Sequence, residues 1–381
     1  MASISSPDQS HEPTNKPSRV AILTGGGDCP GLNAAIRGVA KTLMLRAQTE
    51  IIGIEDGFLG FIERRSRTLT YQDCSGILSL GGTMIGTHNR ANPFDYMGED
   101  RSRAVKEYYD ELALDALVII GGDGTLSIGY ELTKLGMNIV GVPKTIDNDL
   151  MCTERTFGFD TAVSIVTDAI DRLRTTGQSH QRIMIVETMG RNAGWIALHA
   201  GIAGGADSIL LPEHPYDINL VADACNQRMG THHFSIVVIA EGAKPINGEV
   251  CTRETIKDSP EPTRLGGIGD QLKQQLEQLT DAEIRSTTLG HIQRGGSPTS
   301  FDRIFATNLG SYAAGLVINK QFNLAVIQRG NQLSEVPLDS VAHKTRNIPN
   351  DDPTLQTALS MGICFGTETL LRSGAKLNEP E

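Results

Sequence analysis

Three glycine-rich or acidic segments of the sequence combine residue types that could bind a phosphate and a magnesium ion. They are residues 25–31, residues 121–125, which include the carboxylate of Asp123, and residues 143–149, which include a lysine, a threonine and two aspartates. Glycine-rich turns leave backbone N–H groups open to an anion, and magnesium binds a few carboxylates together with water and substrate oxygens. Phosphoryl transfer needs phosphate cradles, a metal and a base for the acceptor hydroxyl, and these segments supply all three.

Each segment taken alone has a simpler structural explanation. A glycine-rich stretch can be a tight turn between a strand and a helix, and an Asp-Asn-Asp string is most often a solvated Asx turn. Residues 25–31 do not fit the dinucleotide fingerprint, and Tyr130 and Glu131 stand where a P-loop requires Lys and Ser or Thr. Together the three segments therefore favour phosphoryl transfer over a hydride-transferring enzyme or a P-loop nucleoside triphosphatase.

Short apolar runs precede these segments and must position them. The runs alternate with segments of helical periodicity and occupy residues 20–23, 51–54, 116–120, 138–140, 183–186, 208–211 and 235–239. Continuous apolar strands that alternate with helices predict an α/β fold whose parallel sheets are covered on both faces. Ligands bind such sheets at the carboxyl ends of the strands, which is where we expect the three segments.

Length and composition limit the remaining classes of function. A chain of 381 residues predicts about two domains, and its net charge of −11 opposes non-specific binding to nucleic acid. No apolar run approaches the ~18 residues of a membrane helix and no signal-peptide core is visible, which predicts a cytoplasmic protein with no membrane partner. Residues 1–18 are predicted to be a disordered leader, residues 242–267 a surface insertion and residues 373–381 a frayed tail.

A fourth segment, residues 290–296 with the sequence Gly-His-Ile-Gln-Arg-Gly-Gly, makes a family resemblance specific. Together with the three segments above it resembles the motifs of the 6-phosphofructokinase family, over nearly the whole chain from Val20 apart from the insertion. Lipid kinases and nicotinamide-dinucleotide kinases share the Gly-Gly-Asp-Gly turn but lack the segments at 143–149 and 290–296. The resemblance implies phosphorylation of fructose 6-phosphate at its 1-hydroxyl, giving fructose 1,6-bisphosphate in glycolysis.

The resemblance also implies an architecture of two doubly wound, mainly parallel-sheet domains that face a catalytic cleft. The donor domain, for nucleotide and magnesium, would comprise residues 19–158 and about 292–345. The sugar-phosphate domain would comprise residues 159–291 and about 346–381. Active sites in this family are shared between subunits, which implies a homo-oligomer and specifically a homotetramer.

Residue roles follow from the resemblance position by position. By resemblance, Asp147 would be the base that accepts the proton of the 1-hydroxyl, and Asp123 and Asp149 would hold magnesium against the transferring phosphate. Arg191 is a candidate for stabilising transition-state charge. The other residues assigned to catalysis or to the phosphoryl donor are Lys144, Thr145, Gly26, Arg90, Gly122, Gly124 and Thr125. The other residues assigned to the sugar phosphate are Met189, Gly190, Glu241, His291, Arg294 and, reaching in from a neighbouring subunit, Arg182 and Arg285.

Two positions bear on the phosphoryl donor in opposite directions. Gly124 has no side chain and leaves room for the inner phosphate of a nucleotide, where pyrophosphate-using relatives typically carry an aspartate. Lys144 resembles the pyrophosphate-using branch, although some nucleotide-using relatives combine this glycine with this lysine. ATP is the favoured donor, and pyrophosphate and ADP remain alternatives.

A function of another class is a catalytically silent subunit that binds sugar phosphate and regulates a partner. It would require the loss of a catalytic group, yet Asp147 and Arg191 are present. Regulation is expected to differ from that of the bacterial allosteric enzymes. Arg37 and Arg174 match basic positions of their effector pocket, but Gly230 and His232 stand where lysines would be expected.

Overall fold

The computed structural model describes residues 16–255 and 263–370. Most of the predicted leader (residues 1–15), the middle of the predicted insertion (residues 256–262) and the predicted tail lie outside the described residues. The described chain has a mixed α/β fold with mainly parallel sheets, which confirms the predicted fold class.

The strands and helices alternate along most of the chain. The strands are β1 (Arg19–Thr24), β2 (Glu50–Ile54), β3 (Ser66–Leu69), β4 (Ala116–Gly121), β5 (Ile139–Thr145), β6 (Phe157–Gly158), β7 (Arg182–Thr188), β8 (Ser208–Leu210), β9 (Ser235–Ala240), β10 (Thr252–Thr255), β11 (Thr263–Leu265), β12 (Glu283–Thr288), β13 (Leu324–Arg329) and β14 (Gln332–Pro337). The α-helices are α1 (Leu32–Ala47), α2 (Phe58–Ile62), α3 (Ser102–Glu111), α4 (Asp123–Thr133), α5 (Phe159–His180), α6 (Trp195–Ala203), α7 (Ile218–His232), α8 (Ile268–Leu276), α9 (Ser300–Ile318) and α10 (Pro353–Ser360). Two 3-10 helices span Gly290–Arg294 and Leu338–Ser340.

The larger sheet has eight strands in the order β14-β13-β5-β4-β1-β2-β3, with the short β6 paired to β5. Its inner pairs are parallel, and the pairs β2–β3 and β13–β14 at the two edges are antiparallel. From β1 the chain builds the sheet outward to β2 and β3, and then returns to build β4, β5 and β13 on the other side. The strand order therefore reverses between β1 and β4, and such a switch point is where open α/β sheets bind ligands.

The smaller sheet has four parallel strands in the order β12-β7-β9-β8. Within the predicted insertion, β10 and β11 pair as a separate antiparallel hairpin. Strands β1, β4 and β9 are buried along almost their whole length, as expected for strands covered by helices on both faces.

Helices α1 and α9 pack closely against each other beside the larger sheet. A Cβ atom added to Gly38 would lie 2.6 Å from the carbonyl oxygen of Thr307, and one added to Gly310 would lie 2.4 Å from that of Ala35. The two glycines thus allow backbone contact between the helices. No helix among the described residues is both long and apolar enough to span a membrane.

The end of β5 differs from the sequence-based prediction. Residues 143–149 were predicted to form one loop, but β5 continues through Lys144 and Thr145, which pair with Phe157 and Gly158 of β6. The short β6 has too few residues to give a hydrophobic period, so its pairing could not be anticipated. The loop that carries the two aspartates therefore begins after Thr145.

Candidate active site

The carboxyl ends of β1, β4 and β5 meet at one edge of the larger sheet. The backbone N–H of Gly25 donates to the carbonyl of Ile120 at 3.0 Å, so the loops after β1 and β4 begin side by side. Both loops surround Thr125, because a Cβ atom added to Gly25 or Gly121 would lie 2.5 Å from its hydroxyl oxygen. Glycine is required at both positions, and the two turns lie next to each other.

Lys144 extends from β5 to the loop after β1. Its side chain is buried, and its ammonium donates to the carbonyl of Gly27. Burial lowers the pKa of Lys144, and the positive charge of Arg294 acts in the same direction. A Cβ atom added to Gly26 would lie 3.6 Å from the ammonium nitrogen, so this cation faces the glycine turn.

Hydrogen bonds hold the loop after β5, called the aspartate loop (residues 146–149), in one conformation. Asn148 is buried with φ 54°, accepts from the backbone N–H of Thr156 at 3.0 Å and donates to the carbonyl of Glu154 at 3.3 Å. The backbone N–H of Asp147 donates to the hydroxyl oxygen of Thr145 at 3.1 Å. This loop is not the solvated Asx turn that is the usual explanation of such a string, because Asn148 is tied to the segment that follows.

The two aspartates of the loop interact electrostatically with two further carboxylates. Burial raises the pKa of Asp149 to about 7, and the charges of Asp147 and Asp123 add to this shift while Arg191 opposes it. Burial and then the charge of Asp147 raise the pKa of Glu241, also to about 7. A cation among these side chains would relieve their repulsion.

Asp123 and Asp149, the two predicted magnesium ligands, interact electrostatically and supply the carboxylate oxygens that magnesium prefers. Within the described ranges, no group of three or more His, Cys, Asp and Glu side chains is arranged to hold a metal by itself. Magnesium is usually held by one or two carboxylates together with water and substrate phosphates, so two carboxylates suffice. Oδ1 of Asp123 accepts from the hydroxyl of Ser127 at 3.1 Å and from the backbone N–H of His343 at 2.9 Å, which fixes its position at the start of α4.

The start of α4 leaves space for a ligand. Gly122 is the residue before the helix, and Gly124 lies in its first turn. A Cβ atom added to Gly124 would meet nothing within 4 Å. This space adjoins the backbone N–H groups of a helix N-terminus, which favour an anion.

The segment after β7 brings residues of the smaller sheet to the site. The backbone N–H of Met189 donates to the side-chain oxygen of the buried Gln293 at 3.2 Å, and Gln293 in turn donates to the carbonyl of Gly290 at 3.0 Å. Arg191, with φ 52°, donates its backbone N–H to Oε1 of Glu241 at 3.1 Å. Met189 and Arg191 are two of the predicted sugar-phosphate residues. These bonds fix Met189 beside the 3-10 helix that contains Gln293, and Arg191 beside the end of β9, where Glu241 lies.

Two glycines make this arrangement possible. Gly190 has φ 138°, a conformation that favours glycine. A Cβ atom added to Gly242 would lie 1.9 Å from the carbonyl oxygen of Arg191, so the chain after β9 passes directly against it.

The 3-10 helix Gly290–Arg294 connects the segment after β7, which carries predicted sugar-phosphate residues, to the glycine turn after β1. Its Arg294 donates to the carbonyl of Asp28 at 3.2 Å, and a Cβ atom added to Gly27 would lie 2.7 Å from the same guanidinium nitrogen. His291 of this helix is exposed. Arg294 and Lys144 therefore bring two positive charges to one glycine turn.

Arg90 lies in a loop that contacts the same turn. Three residues before it, the hydroxyl of Thr87 donates to the carbonyl of Gly26 at 2.6 Å. Arg90 itself is exposed, and its backbone N–H donates to Nδ1 of His88 at 3.2 Å.

Arg182 and Arg285 are not brought to the site of their own chain. Arg182 is the first residue of β7, six residues before Thr188, and strand geometry makes this a separation of ~20 Å. Both arginines instead contact the carboxylate of Glu283, Arg182 at 2.6 Å. A role at a sugar phosphate is compatible with this position only if the site belongs to another subunit.

Three residues that organise the site were not assigned by sequence reasoning. Gln293 lies inside a recognised motif, whereas His343 and Arg346 belong to a stretch without a motif or a hydrophobic period. Arg346 donates its backbone N–H to the carbonyl of Asp149 at 2.7 Å. No sequence signal marks such backbone contacts, because they depend on how distant segments pack.

Comparison with known proteins gives a consistent result. A family model described as "Phosphofructokinase" matches residues 19–317. The ATP-dependent 6-phosphofructokinase 2 of Clostridium perfringens is 48% identical over 358 residues, which cover 91% of this chain and 98% of that protein. The pyrophosphate–fructose 6-phosphate 1-phosphotransferase of Amycolatopsis methanolica is 46% identical over 332 residues, covering 87% of this chain and 96% of that protein.

Solved structures show the same fold. The phosphofructokinase of Pichia pastoris in the T-state superposes with a TM-score of 0.76 at 28% identity, covering 98% of this chain and 38% of the larger chain. A pyrophosphate-dependent phosphofructokinase from Marinobacter aquaeolei superposes with a TM-score of 0.76 at 19% identity, covering 96% of this chain and 92% of that chain, a likeness of fold alone.

Proposed function

The chain belongs to the phosphofructokinase family, and from this premise we propose that it is a magnesium-dependent 6-phosphofructokinase that uses ATP. It transfers the terminal phosphoryl group of ATP to the 1-hydroxyl of fructose 6-phosphate, producing fructose 1,6-bisphosphate in glycolysis. The observation that carries the proposal is the meeting of two glycine turns, the buried ammonium of Lys144 and the aspartate loop at the switch point of the larger sheet.

Asp147 accepts the proton of the 1-hydroxyl as that oxygen attacks the terminal phosphorus. A well-placed base contributes about 10² to 10⁴ in rate. The charge of Asp147 raises the pKa of both Asp149 and Glu241, which supports a position between the metal-binding and the sugar-binding parts of the site.

The donor phosphates bind against the glycine turns. Backbone N–H groups near Gly26 and Gly122 donate to phosphate oxygens, and Lys144 supplies a fixed positive charge beside them. Asp123 and Asp149 would hold magnesium, which supplies charge that neutralises the phosphate oxygens.

The sugar phosphate binds along the segments after β7 and β12. Arg294 and His291 bind its 6-phosphate, with Arg182 and Arg285 from a neighbouring subunit. Met189, Gly190 and Glu241 bind the sugar. Arg191 binds the transferring phosphoryl group, since its backbone is held against Glu241 and its charge acts on Asp149.

ATP is favoured over pyrophosphate by the open space at Gly124. Relatives that cover almost the whole chain at 43–48% identity are named ATP-dependent, including proteins of Clostridium perfringens and Bacteroides thetaiotaomicron. A pyrophosphate-dependent enzyme is the second candidate, because Lys144 places an ammonium at the phosphates and two relatives at 44–46% identity carry that name.

A donor panel tests the proposal. Purified protein is incubated with fructose 6-phosphate, magnesium and either ATP, ADP or pyrophosphate, and fructose 1,6-bisphosphate is measured. Turnover with ATP supports the proposal. Turnover with pyrophosphate, together with no turnover with ATP or ADP, overturns the choice of donor. Absence of product with every donor, together with retained binding of fructose 6-phosphate, would identify a regulatory subunit.

The finer properties of the family complete the proposal. We propose a cytoplasmic homotetramer with shared active sites and with a regulatory response unlike that of the bacterial allosteric enzymes. In support of altered regulation, Arg174 donates to the carbonyls of Gly204 and Gly205 and lies over the ring of Phe234, so its guanidinium is engaged within its own chain. Sedimentation and a screen of anionic metabolites as effectors test these two points.

A further inference from the structure

Residues 341–348, called the crossing segment, donate backbone N–H groups to both residues of the proposed magnesium pair, to the carboxylate of Asp123 and to the backbone carbonyl of Asp149. The N–H of His343 donates to Oδ1 of Asp123 at 2.9 Å. Two residues later, Thr345 forms an isolated antiparallel bridge with Leu150, directly after the aspartate loop. The crossing segment thus lies against the loops after both β4 and β5.

The side chain of Arg346 donates hydrogen bonds to backbone carbonyls of the aspartate loop and of the segment that follows it. Nη2 donates to the carbonyl of Asn148 at 2.8 Å and to that of Glu154 at 3.0 Å, and Nε donates to Asn148 at 3.3 Å. The backbone N–H of Arg346 donates to the carbonyl of Asp149 at 2.7 Å. A planar guanidinium can join several carbonyls in this way, whereas a lysine ammonium cannot reproduce the same geometry.

The other side of the crossing segment is anchored in the smaller sheet's half of the molecule. The guanidinium of Arg346 lies 4.3 Å from the ring centroid of Trp195, and the indole N–H donates to the carbonyl of Arg346 at 3.0 Å. The backbone N–H of Ile348 donates to Glu213, whose carboxylate also accepts from the N–H of Gly194, just before α6. Trp195 is 4% exposed, so the anchor lies in the protein interior.

We propose that Arg346 is a positioning residue for phosphoryl transfer, which holds the aspartate loop in its reactive conformation by joining the carbonyls of Asn148 and Glu154 while it is braced against Trp195. This inference rests on the proposed function of Asp147 in the same loop. Asn148 has a left-handed backbone, which asparagine adopts more readily than other residues with a side chain but which is still less favourable than the right-handed region. Arg346 binds the carbonyl of this residue and so adds to the constraint that the side-chain bonds of Asn148 provide.

The first experiment compares Arg346→Gln with Arg103→Gln, an exposed arginine on α3, as the matched control. We expect kcat for Arg346→Gln to fall by roughly 10- to 100-fold, because a displacement of the base by about 1 Å has an effect of this size. The KM for fructose 6-phosphate should change by less than about threefold, since other side chains bind that substrate. Arg103→Gln should behave as the wild-type protein.

A second measurement does not depend on activity. Hydrogen–deuterium exchange of the backbone amides of residues 146–150 should accelerate in Arg346→Gln relative to the wild-type protein, while exchange in β1 and β4 stays unchanged. The variant Trp195→Phe, which removes the indole N–H, should accelerate exchange in the same residues to a smaller extent. Exchange of these residues in the double variant should be no faster than in Arg346→Gln alone, because both substitutions disrupt the same constraint.

The outcomes separate this inference from the proposed function. Unchanged exchange in residues 146–150, or an equal loss of kcat in both arginine variants, overturns the role of Arg346. Faster exchange throughout β1 and β4 also overturns it, since Arg346 would then stabilise the whole fold. A wild-type protein that is inactive with every donor would refute the proposed function, and the exchange experiment would still decide whether Arg346 holds the loop.

Discussion

The buried ammonium of Lys144 donates a hydrogen bond to the backbone carbonyl of Gly27, and this bond joins the end of β5 to the turn that follows β1. Burial lowers the pKa of Lys144, and the nearby Cys29, Asp147 and Asp28 oppose this shift. A fixed cation of this kind needs no reorganisation when a phosphate binds beside it.

Replacement of Lys144 by methionine should therefore impair use of the phosphoryl donor. We expect kcat/KM for ATP to fall roughly 100-fold, the usual effect of losing one preorganised electrostatic donor. The KM for fructose 6-phosphate should stay within about threefold, because Lys144 is proposed to bind the donor phosphates and other side chains the sugar. Lys320→Met, at an exposed lysine, is the control, and equal kinetics of the two variants would remove Lys144 from the donor site.

Gly124 offers a test of the donor that separates space from charge. Because a Cβ atom there meets nothing within 4 Å, Gly124→Ala should retain most of the activity with ATP. Gly124→Asp places a carboxylate where a nucleotide phosphate is proposed to bind, and like charges in close contact are strongly unfavourable. We expect kcat/KM for ATP to fall at least ~100-fold in the aspartate variant only. An equal loss of kcat/KM for ATP in both variants would mean that the space left by Gly124, and not the absence of a negative charge there, allows ATP to bind.

The proposed base can be tested by the isosteric change Asp147→Asn. Turnover should fall by about 10² to 10⁴, while calorimetric binding of fructose 6-phosphate should persist. The pKa of Glu241 should also decrease, because the charge of Asp147 is one cause of its rise to about 7. Asp223→Asn, at an exposed position on α7, is the control. Turnover close to that of the wild-type protein would exclude Asp147 as the base.

The strands that carry the site could be predicted from the sequence because they are buried on both faces. The apolar runs at residues 20–23 and 116–120 became β1 and β4, and the polar residues directly after them lie at the site. The edge strands β3, β12 and β14 gave no such signal. In β12 only Ile284 is buried, so its polar sequence resembles a loop until its pairing with β7 is known.

The contacts that position the site residues could not be predicted in the same way. Backbone donors such as the N–H groups of Met189 and His343 contact side chains more than a hundred residues away. Their partners are set by packing between the two sheets, and residue type carries no information about it. The family resemblance supplied candidate roles for single positions, but not the residues that hold them in place.

Asp302 provides a prediction about stability against pH. Burial raises the pKa of this carboxyl to about 6, although bonds from the backbone N–H and hydroxyl of Thr161 oppose the shift. The folded protein therefore keeps a proton that an unfolded aspartate, with a pKa of about 3.9, releases at lower pH. The resulting stabilisation is fully present below about pH 4 and is lost as the pH rises through about 6.

Asp302→Asn, which mimics the protonated acid, should flatten this dependence. Urea unfolding measures the free energy of unfolding at each pH. Between about pH 4 and pH 7 the Asp302 carboxyl should lower this free energy by roughly 3 kcal/mol in the wild-type protein, and the variant should lack this decrease. Asp223→Asn again serves as a control that should keep the wild-type slope. A variant with the same slope as the wild-type protein would show that Asp302 does not hold its proton in the folded state.

Arg182 allows a test of shared active sites by complementation. It lies ~20 Å along β7 from Thr188, so a site that uses it must belong to another subunit. Arg182→Ala and Asp147→Asn should each be nearly inactive alone. When the two variants are co-expressed and purified as a mixed oligomer, some sites combine an intact Asp147 with an intact Arg182, and activity should exceed the sum of the separate variants by at least about tenfold. A mixed oligomer no more active than its components would show that Arg182 does not act across an interface, and the salt bridge to Glu283 would then be its main role.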